Sequence, residues 1–219
     1  ESYRKISRQG ADAFYEGEIA EQIVSYGKAH GGYLSLQDFA DHESTWVEPL
    51  STNYRGYEVW ELPPNGQGIA ALQMLNLIEP HDVRAMGPGS ADWLHLLVEA
   101  KKLAFADRAK FYADPDFNKL PTTELISKAY AKERQKLIDM QKAAADVQAG
   151  DPKLAHGDTV YLTVVDKDRN CCSMIQSIYY GFGSKVVPGD VGFAMQNRGA
   201  LFSLDENHLN ALEPHKRPF

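Results

Sequence analysis

The stretch His156-Gly157-Asp158-Thr159-Val160-Tyr161-Leu162-Thr163-Val164-Val165-Asp166 interrupts a helical region with an abrupt run of β-branched and aromatic residues. Just before it, from Lys142 to Asp158, the composition turns small and polar (Ala143-Ala144-Ala145, Gly150-Asp151-Pro152), which reads as loop or linker. A threonine that opens a strand directly after a loop suits one particular chemistry. If the chain is cut before it, the freed α-amine becomes the base for the neighbouring hydroxyl, so nucleophile and base come from one residue. The same pattern also fits a β-branched residue starting an ordinary buried strand, which is the commoner case. What surrounds the stretch decides between them.

Downstream the rhythm stays β. Thr159 to Asp166 is expected as one strand, Lys167-Asp168-Arg169-Asn170 as a turn, and Cys171 to Tyr179 as a second strand, together a hairpin. Gly181, Gly183, Gly189, Gly192 and Gly199 then punctuate short extended pieces up to Phe202. Upstream the chain is mostly helical. A first segment places Ile19, Ile23 and Val24 on one face and stops at Gly27 or Gly31-Gly32, and Ser35-Leu36-Gln37-Asp38-Phe39 reads as a capped short helix. Tyr54 to Leu62 has strand character around Gly56. Pro63-Pro64-Asn65-Gly66-Gln67-Gly68 ends it and feeds an apolar helix from Ile69 to Ile78. This Gly-rich turn lacks the Lys-Ser/Thr of a phosphate loop and the full dinucleotide pattern, so turn chemistry is the better account. Ala91 to Phe111 is expected as an amphipathic helix with Leu94, Leu97, Val98, Leu103 and Phe105 on its apolar side, and Leu125 to Met140 as another. Helices first and a sheet second indicate an α+β or layered architecture.

With 219 residues, 43% of them hydrophobic and 11% aromatic, the chain has enough apolar surface for a sizeable core, as one large domain or a piece of a larger one. The net charge of −7 is spread out. No Lys/Arg run is dense enough for a nucleic-acid surface, and no apolar run is long enough to cross a bilayer, so neither nucleic acid nor membrane is expected as a partner. Glu1-Ser2-Tyr3-Arg4-Lys5 leads into no apolar segment, so no signal peptide is expected there. Cys171 and Cys172 are adjacent in a strand, where side chains alternate in direction; two half-buried free thiols in a reducing, cytoplasmic setting are expected. No CxxC or HxxxH spacing offers a metal site, and no cofactor is implied.

The order of motifs carries more than any one of them. Thr159-x-Tyr161-x-Thr163-Val164-Val165-Asp166, a turn ending in Asn170, Ser177, Phe182-Gly183-Ser184, Val186-Val187-Pro188, Gly192-Phe193 and Asn197 follow in sequence. Upstream stand Pro63-Pro64-Asn65-Gly66-Gln67-Gly68 and Glu99-Ala100-Lys101-Lys102-Leu103-Ala104-Phe105-Ala106-Asp107-Arg108. Across nearly its whole length the chain resembles the γ-glutamyltranspeptidase family, and most of all its branch of acylases and small-amide hydrolases such as oxamate amidohydrolase.

The resemblance implies an N-terminal-nucleophile hydrolase with a four-layered αββα sandwich, made as a precursor and cut between Asp158 and Thr159. Residues 1–158 would then belong to a mostly helical large subunit and 159–219 to the start of a β-rich small one, with a homodimer or heterotetramer of these subunits expected. It implies Thr159 and Ser177 as catalytic residues, Ser177 positioning the Thr159 hydroxyl, and Tyr179, Phe182, Asn197 and Arg198 as contacts of a small-molecule amide substrate. The acceptor would be water, or an amino acid or dipeptide. An arginine near the start of the family's large subunit and a Gly pair further along the small one have no counterpart within these 219 residues.

The chain also departs from the family pattern. Where relatives that handle γ-glutamyl groups read the α-ammonium with an Asn, a Gln or Glu, and an Asp, this sequence has Tyr179, Arg198 and Leu201. A guanidinium at about 4 Å would repel an ammonium by a few kcal/mol at an effective dielectric near 20, whereas its fork suits a carboxylate. An ion pair of Arg198 with Asp190 or Asp205 is an equally weighted alternative. The segment from Ser203 to Lys216-Arg217-Pro218 is short, without the long lid loop of some relatives, which favours hydrolysis over transfer. A relative that keeps the fold and never matures is the rival from another class.

Overall fold

The computed structural model describes residues 1–145, 147 and 157–219, with the side chains of 157–160 left aside. Much of the expected loop from Lys142 to Asp158 therefore falls outside the described residues. Along the chain run α1 (Ser2–Gln9), α2 (Asp12–Tyr15), α3 (Glu18–Ala29), α4 (Leu36–Ala40), β1 (Leu50–Tyr54), β2 (Tyr57–Glu61) and α5 (Gly68–Ile78). Then follow α6 (Val83–Met86), α7 (Ala91–Phe111), α8 (Thr122–Leu125), α9 (Lys128–Gln135), β3 (Gly157–Val165), β4 (Cys171–Tyr180) and a 3-10 turn at Arg198–Leu201. The mixture of helix and strand is as expected, and both sheets are antiparallel hairpins, β1–β2 and β3–β4.

The chain divides into two compact units, each assembled from two separated stretches. One comprises Glu1–Thr45 and Leu154–Ala200, the other Trp46–Lys153 and Leu201–Phe219. In the first, Ile19, Ala20, Ile23 and Val24 of α3 and Phe39 of α4 bury against Val191, with Phe14, Phe193 and Met195 around them. Phe14 stacks on Phe193 at 6.0 Å, and the Ser2 hydroxyl donates to the Val191 carbonyl at 2.7 Å. The segment from 186 to 195 is thus fastened to the helices far before it in sequence. The short α4 is set by a capping box: Ser35 accepts from the Asp38 N–H while the Asp38 carboxylate accepts from the Ser35 N–H.

In the second unit α5 packs along α7. Ser90 caps α7 by accepting from the Trp93 N–H at 3.1 Å. The face it buries is Leu96, Glu99, Ala100, Leu103, Ala104, Ala106 and Asp107, a helical stripe that includes two carboxylates. Leu94 and Val98, expected on the apolar side, are half exposed instead. The two buried acids have partners that explain their place: Glu99 pairs with Lys102 at 2.6 Å, and Asp107 takes bonds from Gln73, Tyr130 and Arg134. The helix expected from Leu125 to Met140 is shorter and broken. Ser127 accepts from the Tyr130 N–H and so starts α9 at Lys128, and the chain leaves the helix after Gln135. The other stretch of this unit is tied in by Arg217, which forks onto Asp114, and by Asn65, which donates to the Pro218 carbonyl at 2.7 Å.

Candidate active site

The β3–β4 ladder runs in register from Val165↔Cys171 to Thr159↔Ser177. Its far turn is fixed by Asp166, whose carboxylate accepts from the N–H groups of Asp168 and Asn170 and from the Asn170 side chain. The Asn170 side chain, with its N–H, holds the Asp166 carboxyl below the usual carboxylate range. Thr159 therefore lies directly across from Ser177, the two residues expected to work together. β3 does not open at Thr159 as expected. It begins at Gly157, which pairs with Tyr180.

Between those two pairs the ladder is irregular. A single residue of β3, Asp158, faces two of β4, Ile178 and Tyr179. This is a β-bulge with its extra residue on β4, and Tyr179 carries the cost in a left-handed φ of 78°. A bulge re-aims the side chains beside it. Here Tyr179 and Tyr180, which alternate faces in a regular strand, stack at 4.4 Å. The Tyr179 N–H donates to the Ser177 hydroxyl at 3.0 Å, so the bulge also fixes Ser177.

Asn197 clips the following loop to the end of β4. Its side-chain carbonyl accepts from the Tyr180 N–H at 3.0 Å, and its own N–H donates to the Ile178 carbonyl at 3.2 Å. Next to it, the Arg198 N–H donates to the Gln196 side chain at 2.6 Å. The Arg198 guanidinium lies 5.0 Å from the centre of the Tyr179 ring, within cation–π range.

The intervening turn is tight. Both the N–H and the hydroxyl of Ser184 donate to the Met195 carbonyl, at 2.8 and 2.9 Å. Phe182 and Lys185 also take left-handed φ values, of 63° and 62°. Such concentrated backbone strain is typical of functional loops.

The fold thus gathers Ser177, Tyr179, Asn197 and Arg198 at the strand end that pairs with Thr159. Phe182 stands 78% exposed. The side chains of Asp158 and Thr159 lie outside the described residues. Sequence reading missed Tyr180, which completes the aromatic stack, and the role of Gln196. An aromatic pair closing an alternating strand was the available signal, since its stacking requires the alternation to break. Cys171 and Cys172 are exposed rather than half-buried, because both faces of the hairpin are open among the described residues. Among the described residues no group of three or more His, Cys, Asp or Glu side chains is placed to hold a metal ion, and no helix is long and apolar enough to cross a membrane.

Comparison with known proteins places this geometry. Residues 1–219 match the family model described as Gamma-glutamyltranspeptidase. The glutathione hydrolase-like YwrD proenzyme of Bacillus subtilis (strain 168) is 43% identical over 219 residues, 100% of this chain and 41% of that protein. The oxamate amidohydrolase proenzyme of Klebsiella pneumoniae is 36% identical, over 99% of this chain and 40% of that protein. Among solved structures, the cephalosporin acylase from Bacillus halodurans superposes with a TM-score of 0.85 at 44% identity, covering 99% of this chain and 38% of that one. The chain spans about two fifths of the length of these relatives. With the family model matched from end to end and the Thr159–Ser177 hairpin, the Asn197 clip and the 182–184 turn in the expected order, the chain belongs to the γ-glutamyltranspeptidase family.

Proposed function

We propose that the complete protein is a self-processing amide hydrolase whose nucleophile is Thr159. The observation that carries this reading is the pairing of Thr159 with Ser177 beside the bulge, in a chain whose relatives are named as proenzymes of hydrolases and an amidohydrolase. The Thr159 hydroxyl first attacks the Asp158 carbonyl; as the ester forms the C–N bond breaks and frees the threonine amine, and water then hydrolyses the ester to the Asp158 carboxylate and the free Thr159 hydroxyl. That amine then takes the hydroxyl proton as the oxygen attacks a substrate amide. The amine leaving group departs with the proton, and water returns the acyl-enzyme ester to acid and free threonine. Ser177, fixed by the Tyr179 N–H, orients the hydroxyl; Tyr179, Phe182, Asn197 and Arg198 contact the acyl group. On this reading 1–158 and 159–219 belong to a large and a small subunit of one αββα sandwich, paired as a homodimer or heterotetramer. The donor is an amide with a γ-glutamyl or small carboxylated acyl group.

Denaturing mass spectrometry of the complete protein, fresh and after a day at 37 °C, tests this. Two species with a boundary at Asp158/Thr159 are expected from the wild type, and one from Thr159→Ala, which also loses turnover. A Thr159→Ala protein that still splits at this bond rules the reading out. A second reading, γ-glutamyl transfer from glutathione, is favoured by a 37% identical glutathione hydrolase proenzyme of Escherichia coli. Dipeptide acceleration of p-nitroaniline release from γ-glutamyl-p-nitroanilide distinguishes it.

A further inference from the structure

We infer that Glu99 and Lys102 of α7 clamp the backbone of Ala144 and so set the register of the chain that leads to the scissile bond. They are positioning residues for maturation, with no part in turnover. The inference rests on the proposed Thr159 reading for which bond is cut.

Three observations carry it. First, the clamp grips one residue by both of its backbone groups. The Glu99 carboxylate takes the Lys102 ammonium on one oxygen at 2.6 Å and the Ala144 N–H on the other at 3.2 Å, while the same ammonium donates to the Ala144 carbonyl at 2.8 Å. A buried ion pair adds little net stability over apolar side chains of similar volume, and its best-attested use is to fix register. Glu99 is 2% exposed, and a hold on Ala144 accounts for a charge in the core stripe of α7. Second, the segment it holds lacks a ladder of its own. Among the described residues, 136–147 carries neither helix nor strand. Ile138, Met140 and Val147 pack on the cluster of Leu96, Ala100 and Leu103, but apolar contacts are non-directional and tolerate a slip along the helix. The directional contacts come from one stripe of α7. His95, Glu99 and Lys102 follow at helical spacing, and the His95 Nε2–H donates to the Asp139 carbonyl at 2.9 Å. Third, what this stripe meets at 139 and 144 is main chain, which suits the run Ala143-Ala144-Ala145, whose side chains offer nothing to select. Ala144 stands fourteen positions before Asp158, so the clamp sets where the covalent arm ending in the scissile carbonyl begins. Releasing it lengthens that arm, and a longer loop closes less readily.

The test pairs two variants of the complete protein. Glu99→Leu with Lys102→Met removes both charges and strands neither, and Ala144→Pro removes the N–H from the segment while leaving α7 untouched. Self-cleavage is followed in time by denaturing mass spectrometry, and turnover of γ-glutamyl-p-nitroanilide is scaled to the cleaved fraction. Hydrogen exchange is read over 139–145. Both variants are expected to cleave themselves about two- to tenfold more slowly, to exchange faster over 139–145, and to keep kcat/KM per cleaved molecule. The lower figure follows from an arm that starts near Gln135 rather than Ala144, and a slipped register adds to it. Glu99→Gln keeps an acceptor for the Ala144 N–H and recovers part of the rate.

Self-cleavage at the wild-type rate in both variants overturns the inference, as does a kcat/KM per cleaved molecule that falls in step with the cleavage rate. If the double variant melts early, Ala144→Pro decides: slower cleavage at an unchanged thermal midpoint supports the clamp, and the wild-type rate overturns it. A wild type that never splits overturns the Thr159 reading instead, and the part of Glu99 and Lys102 in maturation falls with it.

Discussion

Gly183 shows how little slack the site loop has. A Cβ there would lie 2.3 Å from the Met195 carbonyl oxygen, on a backbone already at φ +56°. Gly183→Ala is expected to cost about 2–3 kcal/mol and to lower the thermal midpoint, since strain and clash add. An unshifted midpoint would mean that the turn relaxes freely. Far from that loop in sequence, Asp114 is fully buried, and burial pushes its carboxyl up. The Arg217 side chain and N–H, with the Asp116 N–H, outweigh that and hold it below the usual range. A folded value below the unfolded one, about 3.9, gives stability present above pH ~4 and lost as pH falls through the depressed value. Arg217→Gln is expected to cost about 2–3 kcal/mol at neutral pH, below the top of the range for a broken buried pair because the Arg217 side chain is 44% exposed. Urea melts at pH 7 and pH 3 check this. The loss should shrink at pH 3, and equal losses would refute the assignment.

Among the elements, the β3–β4 hairpin is the one that cannot stand by itself. Tyr161, Val164 and Val165 on one strand and Met174 and Ile175 on the other are 50–63% exposed, and an isolated pair of strands is marginal in water. The proposed αββα sandwich covers these faces. In the complete protein the amides of 160–165 and 171–176 are therefore expected to exchange slowly with deuterium; exchange at the rate of an open hairpin would count against the sandwich. The elements were legible where local chemistry sets them. Ser90 and Ser35 mark helix starts, the turn after Asp166 follows from Asp and Asn, and the two strands of the hairpin carry β-branched residues. Burial was less legible. Leu94 and Val98 read as core by periodicity, while the buried positions go to Glu99 and Asp107, whose partners besides the neighbouring Lys102, namely Ala144, Gln73, Tyr130 and Arg134, lie 23 to 45 residues away. The bulge at Tyr179 was hard to read for a related reason. Its cause is a fit between two strands and a clip from Asn197, and the adjacent pair Tyr179-Tyr180 was its one local sign.

At the scale of the molecule, each compact unit draws residues from both sides of the Asp158–Thr159 bond. Ser2 and Phe14 meet Val191 and Phe193 in one unit, and Asp114 and Asn65 meet Arg217 and Pro218 in the other. Cutting that bond does not free either side. The two pieces are expected to co-elute on size exclusion in native buffer and to part only in denaturant; separation without denaturant would contradict the interleaving. The bulge adds a consequence in time rather than space. Its surplus residue belongs to β4, the strand that the proposed cleavage leaves whole, so Tyr179 and Arg198 take their places before the proposed nucleophile is freed. On the proposed reading, then, the precursor is a receptor before it is a catalyst, its cradle already shaped while the chain is still one piece.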